Sequence, residues 1–238
     1  MCDTCGCGDK ELVTVDVHER VLAGNDLAAG HNREHFDEKG VLAVNLMGSP
    51  GAGKTALLEA TARLLGGRRR LGAVTGDLET HNDAERLRAA GIPSTAITTG
   101  SACHLDAKMV HQALNHLPSA ELDYLFVENV GNLVCPAVYD LGETESVVAL
   151  SVTEGEDKPL KYPVMFRKAG LVVVTKTDLL PHLDFSIERL RENLRRVMPQ
   201  PSVLELSARS GEGLEAWLEW LEGGLTTLRQ GHPRAPLS

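Results

Sequence analysis

Two sets of residues in this chain have the types and spacing for chemistry: a glycine-lysine-threonine run suited to phosphate and a group of cysteines suited to a soft metal ion. Residues 48–55 read Gly48-Ser-Pro-Gly51-Ala52-Gly53-Lys54-Thr55, after an apolar run and before a helical pattern. A loop of this kind surrounds a polyanion with bare backbone amides and a helix N-terminus. Lys54 is expected to reach the β and γ phosphates of a nucleoside triphosphate, and Thr55 to place its hydroxyl on Mg²⁺. Gly48, Gly51, Ala52, Gly53 and Ala56 complete the predicted phosphate contacts.

Two acids lie at the ends of later apolar runs. Glu128, in Leu125-Phe-Val-Glu128-Asn-Val-Gly131, and Asp77, in Thr75-Gly-Asp77, are expected beside the phosphate loop, where a carboxylate holds Mg²⁺ or orients water. Asp77 is the first choice for sensing the γ-phosphate or placing the attacking water, and Gly131 for offering it an amide. The alternative for Glu128 is a strand-end acid facing solvent. Further on, Thr175-Lys176-Thr-Asp178 and Ser207-Ala208-Arg209 resemble the guanine-recognition segments of regulatory GTPases. A carboxylate at Asp178 accepts both guanine N–H donors, the Lys176 stem covers the ring, and Ser207-Ala208 brings an amide to the guanine carbonyl. GTP, and GDP after hydrolysis, are the expected nucleotides.

Cys103-His104 and Cys135 follow different apolar runs whose loops can emerge on one sheet edge. Two sulfurs and an imidazole suit Zn²⁺ or Ni²⁺ but leave a four-coordinate site incomplete, which a dimer can supply. Taken from the residues alone, two buried structural cysteines and a surface histidine are the favoured account of Cys103, His104 and Cys135. The remaining thiols, in Cys2-Asp-Thr-Cys5-Gly-Cys7, are set closely enough to converge on one ion, and metal binding is the favoured reading over inert thiols.

The elements that must position these groups are short apolar runs alternating with helical patterns: 41–47, 71–75, 95–98, 122–127, 147–152, 171–175 and 203–206. That alternation predicts an α/β fold of the P-loop NTPase type, a mostly parallel central β-sheet flanked by helices on both faces. Residues 1–40 read as a cysteine cluster and lead-in, with a short edge strand at Leu12–Val17 and a helix or loose stretch around His31–Phe36. Residues 41–230 read as the GTPase domain and 231–238 as a frayed tail. The run Arg68-Arg69-Arg70 reads as a solvated loop. A net charge of −9 and few aromatic residues argue against a nucleic-acid partner. No apolar stretch reaches the roughly 20 residues of a membrane span, and a cytoplasmic location is expected.

Taken together, the loop at 48–55, Ser101-Ala-Cys103-His104-Leu-Asp106, Glu128-Asn-Val-Gly-Asn-Leu-Val-Cys135-Pro136 and Asp157-Lys-Pro-Leu-Lys-Tyr-Pro163 resemble the HypB family, GTPases that help insert nickel into [NiFe] hydrogenase. The resemblance spans residues 1–7 and about 41–213. It implies a slow GTPase that forms a homodimer with GTP, with Cys103, His104 and Cys135 as a nickel or zinc site near the dimer interface. Cys2, Cys5 and Cys7 would then be a tighter nickel site. It implies as partners a small nickel chaperone like HypA and the hydrogenase large-subunit precursor. The chain departs from the pattern in carrying Thr175 where the family has Asn, and in lacking a long histidine-rich insertion. Competing readings are a urease-type nickel accessory GTPase like UreG and a passive metal-binding module with a structural nucleotide site.

Overall fold

A computed structural model of the chain describes residues 10–77, 79–100, 102–118 and 121–231. Seven strands, β1 (Leu42–Gly48), β2 (Leu71–Asp77), β3 (Ser94–Thr98), β4 (Tyr124–Glu128), β5 (Glu145–Ser151), β6 (Leu171–Thr175) and β7 (Val203–Glu205), form one parallel sheet in the order β3-β2-β4-β1-β5-β6-β7. The helices are α1 (Lys10–Lys39), α2 (Lys54–Leu65), α3 (Asn82–Ala89), α4 (Ala107–Leu114), α5 (Lys158–Lys161), α6 (Pro163–Lys168), α7 (Ile187–Val197) and α8 (Leu214–Gly231).

The strands read as unbroken apolar runs because both faces of the sheet are covered. Alternate residues divide between two layers. Leu42, Val44, Leu46, Tyr124 and Phe126 meet Leu57, Leu58, Trp217 and Leu221 of α2 and α8. Ala43, Leu125 and Val127 meet Phe36 of α1 and Val110 of α4, while Met47, Val148 and Val172 meet Phe166 of α6 and Leu190 of α7. Each buried valine, leucine, methionine or phenylalanine among them contributes about 1.5–3 kcal/mol on burial. Trp217 is buried without an orphaned donor, its Nε1 donating to Thr61 Oγ1 at 2.9 Å.

One local expectation changes. Leu12–Val17 lies inside α1 and is not an edge strand. Among the described residues no strand pairs with it, and a helix satisfies the same backbone groups internally. Arg68-Arg69-Arg70 is the expected solvated loop, and it is anchored: Arg68 donates to the carbonyls of Leu64 and Leu65 at the end of α2, and Arg69 grips Glu222 of α8 at 2.7 and 2.9 Å. Helix α8 continues through Gly223 and Gly224 because Leu221, Leu225 and Leu228 are buried beneath it. The predicted tail beyond Gly231, and Cys2, Cys5 and Cys7, lie outside the described residues.

The second half of α1 is docked by polar as well as apolar contacts. Asn32 Nδ2 donates to the carbonyls of Ala107 and Leu141 at 2.8 and 3.0 Å, and Asn25 bridges Asp140 O and Ala107 N. Arg33 pairs with Asp140. These contacts brace two loops, at 104–107 and 139–142, that reappear at the site below.

Candidate functional site

Strand β1 ends at Gly48, and the turn that follows opens into α2 at Lys54. Gly53, immediately before that helix, has φ +90°, a conformation that L side chains rarely adopt. The loop borders a cleft of about 420 Å³ whose walls include Gly51, Lys54, Thr55, Ala56, Asp77, Asp83, Glu128, Asn129 and Gly131. Gly131 is pressed against the loop: a Cβ there would lie 2.8 Å from Pro50 Cγ and 2.9 Å from Pro50 N.

The predicted acids divide. Thr55 Oγ1 is 2.8 Å from Glu128 Oε1 and 2.9 Å from Asp83 Oδ1, so Glu128 stands where expected and Asp83 joins it. One hydroxyl proton cannot serve both carboxylates, and Glu128 Oε2 is buried without a hydrogen-bond partner. Burial pushes the Glu128 carboxyl up to about 7, against the pull of Lys54. Burial likewise lowers the Lys54 ammonium, opposed first by Glu128 and then by Asp83. Two acids, a hydroxyl and an orphaned buried oxygen fit a small hard cation such as Mg²⁺. Asp77 lines the same cleft, but its carboxylate accepts from Glu79 N, Thr80 N and Thr80 Oγ1. Asp83 went unnoticed in the sequence because it follows no apolar run. Its signal was an acid in the first turn of a helix directly after a sheet strand.

A second cavity of about 280 Å³ is lined by Gly53, Ala56, Thr175, Lys176, Asp178, Leu206, Ser207 and Ala208. Gly53 and Ala56 line both cavities, so one elongated ligand can occupy the two. Lys176 adopts φ 61° and donates from Nζ to Gly51 O at 2.6 Å, which lays its stem beside Gly53. Asp178 Oδ1 accepts from Ser207 Oγ at 2.6 Å, fixing the carboxylate. Thr175 keeps a tie to the phosphate loop despite its departure from the family's Asn: Thr175 Oγ1 donates to Ala52 O at 2.6 Å.

Cys103, His104 and Cys135 come together although they lie on different loops. Cys103 Sγ and Cys135 Sγ are 2.7 Å apart, and the three ligand atoms lie within 4.8 Å of one another. Hydrogen bonding from Cys103 and then burial raise the Cys135 thiol, and burial lowers the His104 imidazole. His104 Nδ1 is buried with no hydrogen-bond partner, and the ring stacks on Tyr139 at 3.8 Å between centroids. Two sulfurs sharing a tetrahedral ion stand about 3.8 Å apart, so a small opening of this pair admits a soft divalent metal.

A parallel sheet covered on both faces, with a phosphate loop after β1 and a Lys-x-Asp pocket after β6, defines the P-loop GTPase fold. Residues 42–205 match the CobW/HypB/UreG nucleotide-binding domain. The chain is 53% identical over 206 residues to the hydrogenase maturation factor HypB of Azotobacter vinelandii, covering 87% of this chain and 68% of that one. It is also similar to the crystal structure of HypB from Archaeoglobus fulgidus, at 41% identity and TM-score 0.79 over 86% of this chain and all of that one. Its similarity to HypB from Helicobacter pylori, whose crystal structure is a complex with nickel, is 37% identity and TM-score 0.81 over 90% of this chain and 99% of that one. The chain belongs to the HypB hydrogenase maturation factors within the CobW/HypB/UreG family. Among the described residues no helix is long and apolar enough to cross a membrane.

Proposed function

We propose that this chain is a GTP-hydrolysing metallochaperone that binds nickel and zinc and delivers nickel for [NiFe] hydrogenase maturation through a GTP-dependent dimer switch. One observation carries the reading: the single segment from Glu128 to Cys135 borders the phosphate cleft at one end and supplies a ligand to the Cys103-His104-Cys135 cluster at the other.

In this reading Lys54 neutralises charge on the β and γ phosphates, and Lys176, Asp178, Ser207 and Ala208 select guanine. Thr55, Glu128 and Asp83 would hold Mg²⁺, which when bound supplies charge neutralisation to the transferring phosphoryl group. Asp77, on the wall of the cleft, orients the water that attacks the γ-phosphorus. The products are GDP and phosphate, and turnover is slow because the nucleotide acts as a switch. Nickel is the cargo. Cys103, His104 and Cys135 give it three ligands, and a second copy closing over the cluster in the GTP state supplies what is missing. The terminal Cys2, Cys5 and Cys7 form a separate, tighter nickel site. Cytoplasmic partners are a HypA-like nickel chaperone and the hydrogenase large-subunit precursor.

Metal content, sedimentation and GTP turnover measured on one preparation test the reading. Lys54→Ala should lose turnover by at least about 100-fold, given the several kcal/mol such a contact contributes to the transition state. Cys103→Ser should lose nickel at the cluster while keeping GDP. Turnover that survives Lys54→Ala, or a dimer indifferent to nucleotide and metal, would refute it.

A further inference from the structure

We propose that Asn129 is the positioning residue through which the state of the phosphate cleft reaches the Cys103-His104-Cys135 cluster, an inference that rests on the metallochaperone reading above. Asn129 follows Glu128 directly, lines the cleft and is only 1% exposed. Its Oδ1 accepts from Leu105 N at 3.3 Å and from Val130 N at 3.0 Å, and its Nδ2 donates to Asn45 Oδ1 at 3.2 Å. Two backbone N–H partners require the oxygen on that side, so the amide has one orientation.

The network does not stop there. Asn45 Nδ2 donates to Glu143 Oε1 at 3.2 Å, and Glu143 Oε2 accepts from Leu141 N at 2.8 Å. One end of this buried line therefore holds the backbone next to His104. The other holds the loop whose Tyr139 stacks on the His104 ring. Asn132 adds a parallel link, bridging to Gly48 through its backbone and donating from Nδ2 to Cys103 O at 3.4 Å. Anything that draws Glu128 or Gly131 toward a phosphate or a cation moves Asn129 with them, and Leu105 and His104 must follow or lose a buried hydrogen bond.

Only an amide fits this role. A carboxylate at position 129 cannot donate to Asn45 and adds negative charge beside Glu128. A methyl group leaves the Leu105 N–H without its side-chain acceptor. Neither change touches a metal ligand.

The test is nickel titration of the full chain, carrying Cys2→Ser, Cys5→Ser and Cys7→Ser to silence the terminal thiols, with GDP and with a non-hydrolysable GTP analogue. The thiolate-to-nickel absorption reports occupancy of the cluster. In the parent chain the two nickel dissociation constants should differ by a factor in the usual range for coupled sites, about 5–150-fold. With Asn129→Ala the ratio should fall to within about twofold while both nucleotides still bind, and nickel should cease to discriminate between GDP and the GTP analogue, as reciprocity requires. If Asn129→Ala does not fold by circular dichroism, Asn129→Leu, of similar size but with neither acceptor nor donor, carries the same expectation. A parent ratio preserved in the variant overturns the role of Asn129 alone. A parent ratio of one overturns the nucleotide-metal switch and the Asn129 assignment with it.

Discussion

Thr175 shows how a departure from a family pattern is absorbed. Its hydroxyl holds Ala52 O, a buried carbonyl of the phosphate loop, at 2.6 Å. Removing it in Thr175→Ala leaves that acceptor unpaired, at a cost of about 1–3 kcal/mol. For a chain of this size that corresponds to a fall in melting temperature of about 3–10 °C. Thr175→Ser should restore most of it, and differential scanning calorimetry with and without GDP will separate stability from nucleotide binding. Glu128 makes a second prediction. Its carboxyl, raised by burial to about 7, is largely protonated in the cation-free protein at pH 6 and must ionise to hold Mg²⁺. Binding of Mg²⁺ with nucleotide should therefore release close to one proton at pH 6 and progressively less above pH 7.5. Calorimetry in buffers of different ionisation enthalpy measures that release, and Glu128→Gln should lower it by close to one proton at pH 6, leaving only what the nucleotide phosphate itself releases.

Among the elements, the segment after β4 is held where two pieces of backbone nearly touch. A side chain at Gly131 has no room, with Pro50 backbone nitrogen at 2.9 Å from where the Cβ would stand. Gly131→Ala should displace the phosphate loop or the 128–135 segment at a cost of about 1–3 kcal/mol. GTP turnover should fall by more than tenfold even where the protein still binds GDP, and a comparison of turnover with GDP affinity checks it. Helix α1 illustrates a different balance. It is docked by Asn32 on the carbonyls of Ala107 and Leu141 and by buried Ala29 and Phe36. It thereby steadies the two loops that flank His104.

For the domain as a unit, Asp123 ties the end of the chain to the centre of the sheet. Its carboxylate accepts from Arg70 N at 2.9 Å and pairs with Arg229 of α8 at 2.6 Å. Burial alone would raise it, but the Arg70 amide and the Arg229 guanidinium hold it below the usual carboxylate range. Stability from such a group is present above its unfolded pKa, near 3.8, and is lost as pH falls through the folded value. Asp123→Asn should therefore lower the urea midpoint at pH 7 and reduce the loss of stability seen between pH 4 and pH 2, with little change in between.

The local code was enough for the parallel sheet, the phosphate loop and the strand that ends in Lys-x-Asp, because each is written in contiguous residues. A strand buried on both faces must be apolar throughout, a phosphate loop needs its glycines, lysine and hydroxyl in one short run, and Lys176 and Asp178 are neighbours. The chain order alone could not reveal that Asp83 would meet Thr55, that Asp77 would also accept from Glu79 and Thr80, or that Leu12–Val17 would be helical. Nor could it show that Cys103, His104 and Cys135 would stand within reach of one ion, or expose the line from Leu105 through Asn129 and Asn45 to Glu143. Those outcomes depend on hydrogen-bond partners far apart in the chain, and which distant polar groups become neighbours is settled only when hydrophobic burial has stacked the elements.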